Sequence, residues 1–112
     1  MSHRTIRRQL TDELYDRQVR ICKAFANPTR LRLLDLIGQR DYPTSDLHKQ
    51  LGISKANLSQ HLGILKAAGV VVTRRNGIHL HCQLAIPEVK KACALIRTVL
   101  RAQIRNGRHL PL

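Results

Sequence analysis

Residues 44–71 read TSDLHKQLGISKANLSQHLGILKAAGVV, and the order of their caps, leucines and glycines decides the fold. Thr44 or Ser45 caps a short helix whose apolar contacts are Leu47 and Leu51, and Gly52 ends it. Ser54 at once caps a second helix, with Ile53 ahead of the cap placed to pack on Leu58 as a hydrophobic staple. Leu58, Leu62 and Leu65 then recur at helical spacing, so two helices meet across a tight turn. The face opposite those leucines is small and polar: Ala56, Ser59, Gln60 and Gly63, flanked by Lys55 and Lys66 and free of acidic residues. Such a face suits close approach to a groove lined by phosphates.

Downstream of Gly69 the period changes from helical to alternating. Ile78, Leu80, Cys82 and Leu84 share one strand face, and His79, His81 and Gln83 take the other. Asn76-Gly77 supplies the positive φ angles of a tight hairpin, so Arg74-Arg75-Asn76-Gly77 forms a basic tip. Pro87-Glu88 opens a last helix with an apolar seam of Val89, Cys93, Ile96 and Leu100, and Asn106-Gly107 ends it.

Upstream, Asp41-Tyr42-Pro43 reads as a loop. Asn27-Pro28 starts a helix striped by Leu31, Leu34 and Ile37, with Asn as cap and Pro at the first helical position. Before it, Tyr15, Val19, Cys22 and Ala26 predict a helix over 11–26, with Asp12 and Glu13 favouring its amino end.

The predicted fold class is mainly α with a β-hairpin wing, a winged helix-turn-helix of four helices, a hairpin and a fifth helix. Residues 1–10 are expected to be an N-terminal tail, 11–106 one DNA-binding and dimerisation domain, and 107–112 a C-terminal tail. A chain this short buries only about two-thirds of its surface. A helix-turn-helix with a wing needs only the middle of the chain, so the first and fifth helices are surplus apolar surface, expected to form a homodimer interface.

Composition narrows the partner. Lys and Arg number 20 against 7 Asp and Glu, a formal charge of +13 spread from end to end, which calls for a polyanion. Aromatic residues are 3% of the chain and Trp is absent, so the core is built from aliphatic side chains, as packed helices prefer. No apolar run approaches the roughly 18 residues needed to span a membrane. Met1-Ser2-His3-Arg4 leads into polar residues rather than a signal-peptide core, so a cytoplasmic protein with reduced thiols is expected. Cys22, Cys82 and Cys93 form no paired-cysteine zinc motif, and the few acidic residues form no catalytic pair; the chain does not read as an enzyme.

Three segments resemble the ArsR/SmtB family of metal- and stress-responsive repressors. Residues 24–34, AFANPTRLRLL, resemble its signature at the start of the second helix. Residues 54–71, with Ser59, His61-Leu62, Leu65 and Ala68-Gly69-Val70-Val71, resemble its recognition helix and exit, and Arg74-Arg75-Asn76-Gly77 falls where its wing turns. The resemblance implies a dimer built on the first and fifth helices, the fourth helix in the major groove, and an effector that releases DNA.

The expected partner is double-stranded DNA carrying an imperfect inverted-repeat operator. Gln60, Ser59, Asn57 and Lys55 offer donors and acceptors of the length needed to read base edges, with Gln60 foremost. Ser54, Lys66 and His61 lie on or beside the same helix; His61 either touches phosphate or packs. Arg74, Arg75 and Asn76 are placed to contact phosphates or the minor groove, positioning more than specifying.

The family's thiol-rich arsenic or cadmium site would fall within residues 41–47, which hold no cysteine, and its fifth-helix zinc or nickel site would find Glu88 alone, with His109 beyond the helix. Cys22 and Cys93 remain, each on the apolar stripe of an expected dimer helix. Either they form a thiol switch, by a disulfide or polysulfide bridge or by holding arsenite or another soft metal, or both are small buried hydrophobes. Cys82 reads as core, and His79 and His81 as solvated or DNA-facing, since two ligands do not make a metal site. Two other classes compete: an architectural winged-helix protein that coats DNA or RNA without choosing sequence, and a thiol-based enzyme or metal carrier.

Overall fold

The computed structural model describes residues 3–107. They form α1 (His3–Phe25), α2 (Pro28–Gln39), β1 (Tyr42–Pro43), α3 (Thr44–Leu51), α4 (Lys55–Ala67), β2 (Val71–Asn76), β3 (His79–Leu84) and α5 (Glu88–Arg105). The three strands make one antiparallel sheet in the order β1-β3-β2. Among the described residues no helix is long and apolar enough to cross a membrane.

The core lies where α2, α3 and α4 meet the base of the sheet. Leu33, Leu47, Leu65, Val71 and Cys82 are its largest fully buried side chains, and Ala24, Leu34, Ile37, Tyr42, Leu58, Leu62, Val70 and Val89 are buried around them. The expected leucine stripe of α4 is the stripe that is buried. In α2 the stripe is rotated: Leu33 is fully buried and Leu31 is exposed. Both satisfy helical spacing with Leu34 and Ile37, and only the position of α4 and the sheet chooses between them.

Several boundaries differ from the sequence expectation. The N-terminal tail expected over 1–10 is helical from His3, because residues 3–10 contain no Gly or Pro to stop a helix. Thr11, read there as the helix start, sits inside α1, where its hydroxyl donates to the Arg7 carbonyl at 2.8 Å. That bond to the preceding turn lets a residue that favours caps sit mid-helix. Residues 108–112 of the expected C-terminal tail, with His109, lie outside the described residues.

Tyr42-Pro43, expected as a loop, is the edge strand β1, with Tyr42 opposite Cys82 and Pro43 opposite His81. Pro lacks an N–H, which an edge strand tolerates. Tyr42 is buried, and the Arg40 guanidinium lies over its ring at 4.3 Å from the centroid. Neither Thr44 nor Ser45 caps α3. Pro43 occupies the cap position, and the Thr44 hydroxyl donates instead to the Leu80 carbonyl on β3. The hairpin turns one residue later than expected: Asn76 pairs with His79 as the last rung, and Gly77-Ile78 form the loop. Gly77 alone takes a positive φ there, +67°, the first loop position that a two-residue hairpin gives to glycine. Ile78, assigned to the inner face, is therefore at the tip and 89% exposed.

The other caps follow the sequence. The Asn27 side chain accepts from the Arg30 amide, and the Ser54 side chain from the Asn57 amide. Gly52 ends α3 with φ +66°, which reverses the chain into α4 within three residues.

Candidate nucleic-acid interface

The fixed turn at Gly52 and the cap at Ser54 set the direction of α4, and its three buried leucines decide which side of it turns to the core. Lys55, Asn57, Ser59, Gln60 and Lys66 are all exposed as a consequence. A side chain added at Gly63 would meet nothing within 4 Å, so the packing of the protomer does not require glycine there. Glycine leaves the helix backbone open to a close partner. The Ser54 oxygen accepts the Asn57 amide at 3.1 Å, leaving its own O–H proton for a second acceptor.

His61 is the exception. It is half-buried, and its Nδ1 lies 3.2 Å from Nη1 of Arg30, so the ring faces the protein rather than the open side of α4.

Beside α4 runs an open cleft of about 370 Å³ between α3, α4 and the hairpin. Lys55, Ser59 and Lys66 line it from α4, Ser45 and His48 from α3, and Thr73 from β2, over a floor of leucines. The sequence reading did not single out Ser45, His48 or Thr73 for this surface. Their place on it follows from docking α3 and β2 against α4, which no local pattern encodes.

The strand register separates the two wing arginines. Directly opposed residues share a face, so Arg75 lies with Leu80, and next to the Thr73–Cys82 pair, on the cleft side of the sheet. Arg74 lies with His81 on the other side, between the Val72–Gln83 and Asn76–His79 pairs. Gln83 is engaged there, donating to the Asp41 carboxylate at 2.6 Å.

The cysteines fall into three environments. Cys82 is fully buried, and that burial pushes its thiol up from 9.0 to about 11 against a smaller lowering by Lys66. Cys93 is half-buried in a groove between α2 and α5, where burial first and the Asp35 carboxylate second push its thiol up. Arg97 bridges that groove to Asp35. Cys22 is exposed on α1 and is not among the groove residues around Cys93; all three thiols are free. Among the described residues no group of three His, Cys, Asp or Glu stands close enough to hold a metal ion.

A capped recognition-type helix with an exposed polar face, beside a basic hairpin, defines a winged helix-turn-helix transcription regulator. Residues 25–74 match the family of helix-turn-helix domains. The chain is 36% identical over 91 residues to the HTH-type transcriptional regulator Rv0081 of Mycobacterium tuberculosis, across 80% of each chain. It is 30% identical over 87 residues to the biofilm growth-associated repressor of Xylella fastidiosa, across 78% of this chain and 76% of the relative. Among solved structures, it superposes on the homodimeric winged helix-turn-helix DNA-binding domain Mb0332 of Mycobacterium bovis with a TM-score of 0.82 at 28% identity, covering 99% of this chain and 97% of that one. The chain belongs to the ArsR/SmtB family of winged helix-turn-helix repressors.

Proposed function

We propose that this chain is a cytoplasmic, homodimeric repressor that recognises an inverted-repeat operator through α4 and is released from it by an effector. The observation that carries the reading is the set of exposed polar side chains on α4, Lys55, Asn57, Ser59 and Gln60, with Lys66 in the cleft and Arg75 on the hairpin face that Thr73 presents to it. Gln60 can pair with a base edge through its amide, whereas the lysines and Arg75 supply phosphate attraction that falls steeply with salt.

Dimerisation is supported by apolar side chains left uncovered in the protomer: Leu10, Leu14 and Tyr15 on α1, and Leu95, Ile96 and Val99 on α5. Those two helices also carry Cys22 and Cys93. An effector acting at the pair, whether an oxidant or polysulfide that bridges them or arsenite or another soft metal that both ligate, would act on the dimer contact and so on the spacing of the two α4 helices.

Selecting duplexes from a random pool with the wild-type protein tests the proposal. The expected product is an imperfect inverted repeat with half-site centres about one helical turn apart. Gln60→Ala should then lose about 1–3 kcal/mol on that duplex and almost nothing on a scrambled one. Near-equal binding to all duplexes would replace this reading with that of an architectural protein.

A further inference from the structure

The last carbonyls of a helix have no donor within the helix. At the end of α1, those of Lys23 and Ala24 are met by Arg30, which reaches back from the first turn of α2. Its Nη2 donates to the Lys23 oxygen at 3.1 Å and its Nε to the Ala24 oxygen at 2.7 Å. A guanidinium is planar, so two bonds to α1 fix where the remaining nitrogen points. Nη1 points at α4, where it donates to His61 Nδ1 at 3.2 Å. Arginine cannot accept a hydrogen bond, so the ring accepts at Nδ1. One side chain seated on α2 thus joins the end of α1 to the middle of α4.

Among the described residues this is the one side chain to side chain hydrogen bond that ties α4 to another element. Leu58, Leu62 and Leu65 hold α4 on the core, but apolar contact is non-directional and tolerates small rotations. A hydrogen bond with defined distance and angle does not. His61 directly follows Gln60, and a helix moves as a rod, so any shift at His61 passes to the side chains that face DNA. Recognition geometry must be held to about 0.5 Å.

We propose that Arg30 is a positioning residue for operator choice: acting through His61, it sets the orientation of α4 relative to α1, and so governs discrimination between duplexes rather than attraction to DNA in general. The proposal rests on the preceding reading that α4 meets base edges. Both residues are half-buried, and the Arg30 guanidinium is engaged by three protein acceptors.

The test compares the full-length protein with Arg30→Lys, His61→Leu, the double variant and His61→Gln, on the selected operator and on a scrambled duplex of equal length. Arg30→Lys loses the planar fork, and His61→Leu loses the acceptor. Each should lower the operator-to-scrambled affinity ratio about tenfold while scrambled-duplex affinity stays within about twofold. The double variant should be no worse than the poorer single one, because both remove the same contact. His61→Gln keeps an acceptor oxygen and should keep the ratio within about threefold of wild type. Equal weakening on both duplexes, additive losses, or a glutamine variant indistinguishable from leucine would overturn the proposal; if His61→Leu does not fold, Arg30→Lys against His61→Gln decides it. A wild type without any duplex preference would remove the reading of α4 and this inference with it. A selective wild type matched by all its variants would remove this inference alone.

Discussion

Cys82 and Cys93 show how a residue's surroundings set its chemistry. The nucleophilic and metal-binding form of cysteine is the thiolate, so a thiol pushed up by burial reacts only as pH rises toward its folded value. For Cys82, at about 11, roughly one molecule in a thousand carries the thiolate at pH 8. Cys93 is pushed the same way, by burial and then by Asp35, while Cys22 is exposed. Timed alkylation at pH 8 of protein diluted until it is monomeric, read by mass spectrometry, should therefore label Cys22 first, Cys93 later and Cys82 only on unfolding. If the thiol switch operates, oxidant, polysulfide or arsenite should weaken operator binding by the wild type and leave Cys22→Ser and Cys93→Ser unaffected. Identical responses from all three would dismiss it. The inward face of Cys82 was legible from strand alternation, but its full burial was not, since Ile78 and Leu80 fall in the same count and are exposed. The half-buried setting of Cys93 was not legible either, because it depends on the docking of α2 against α5, which also brings up Asp35 from 58 positions away in sequence.

Elements make a second kind of argument, in which register outweighs composition. Arg74 and Arg75 are adjacent and identical in type, and the sequence treated them as one basic tip. Pairing with His81 and Leu80 sends them to opposite faces of the hairpin, and only Arg75 shares the face of Thr73 and the cleft beside α4. Arg75→Ala should weaken binding to every duplex and make the salt dependence shallower by about one ion, whereas Arg74→Ala should change both less. Anisotropy titrations at several salt concentrations measure the two slopes, and equal slopes for the two variants would contradict the facial assignment. The elements the sequence predicted well are those written locally: Ser54 with Leu58, Leu62 and Leu65, or Asn27 with Pro28. Those it missed are defined from a distance. Two residues, Tyr42 and Pro43, become a strand only because β3 lies beside them, and the turn falls on Gly77-Ile78 because Val71 pairs with Leu84. A hairpin closed at Asn76-Gly77 would set Val71 opposite Cys82 and keep every facing side chain on the same side, so alternation does not distinguish the two.

At the scale of the whole molecule, shape and surface argue together for association. The radius of gyration is 17.2 Å, against about 13 Å for a compact globule of this length, and the extents are 52 × 45 × 23 Å. The excess comes from long helices flanking a small core: α1 has 23 residues, of which only Ala24 is buried, and α5 has 18, of which only Val89 is buried. Leu14 is 64% exposed and Leu95 is 65% exposed, so a charge at either position disturbs no packing within one protomer. In a dimer that buries both helices, the same charge would be trapped in an apolar interface, at a cost of several kcal/mol. The pair Leu14→Glu and Leu95→Glu should therefore convert a dimer to a monomer in sedimentation without loss of helical content. Wild-type melting temperature should rise with protein concentration, as it must when folding is linked to assembly, and that of the variant should not. Operator affinity of the variant should fall at least about a hundredfold, because a half-site bound alone loses the effective concentration supplied by its linked partner. A wild type that sediments as a monomer, or a doubly substituted chain that remains dimeric, would show that these faces are covered in some other way.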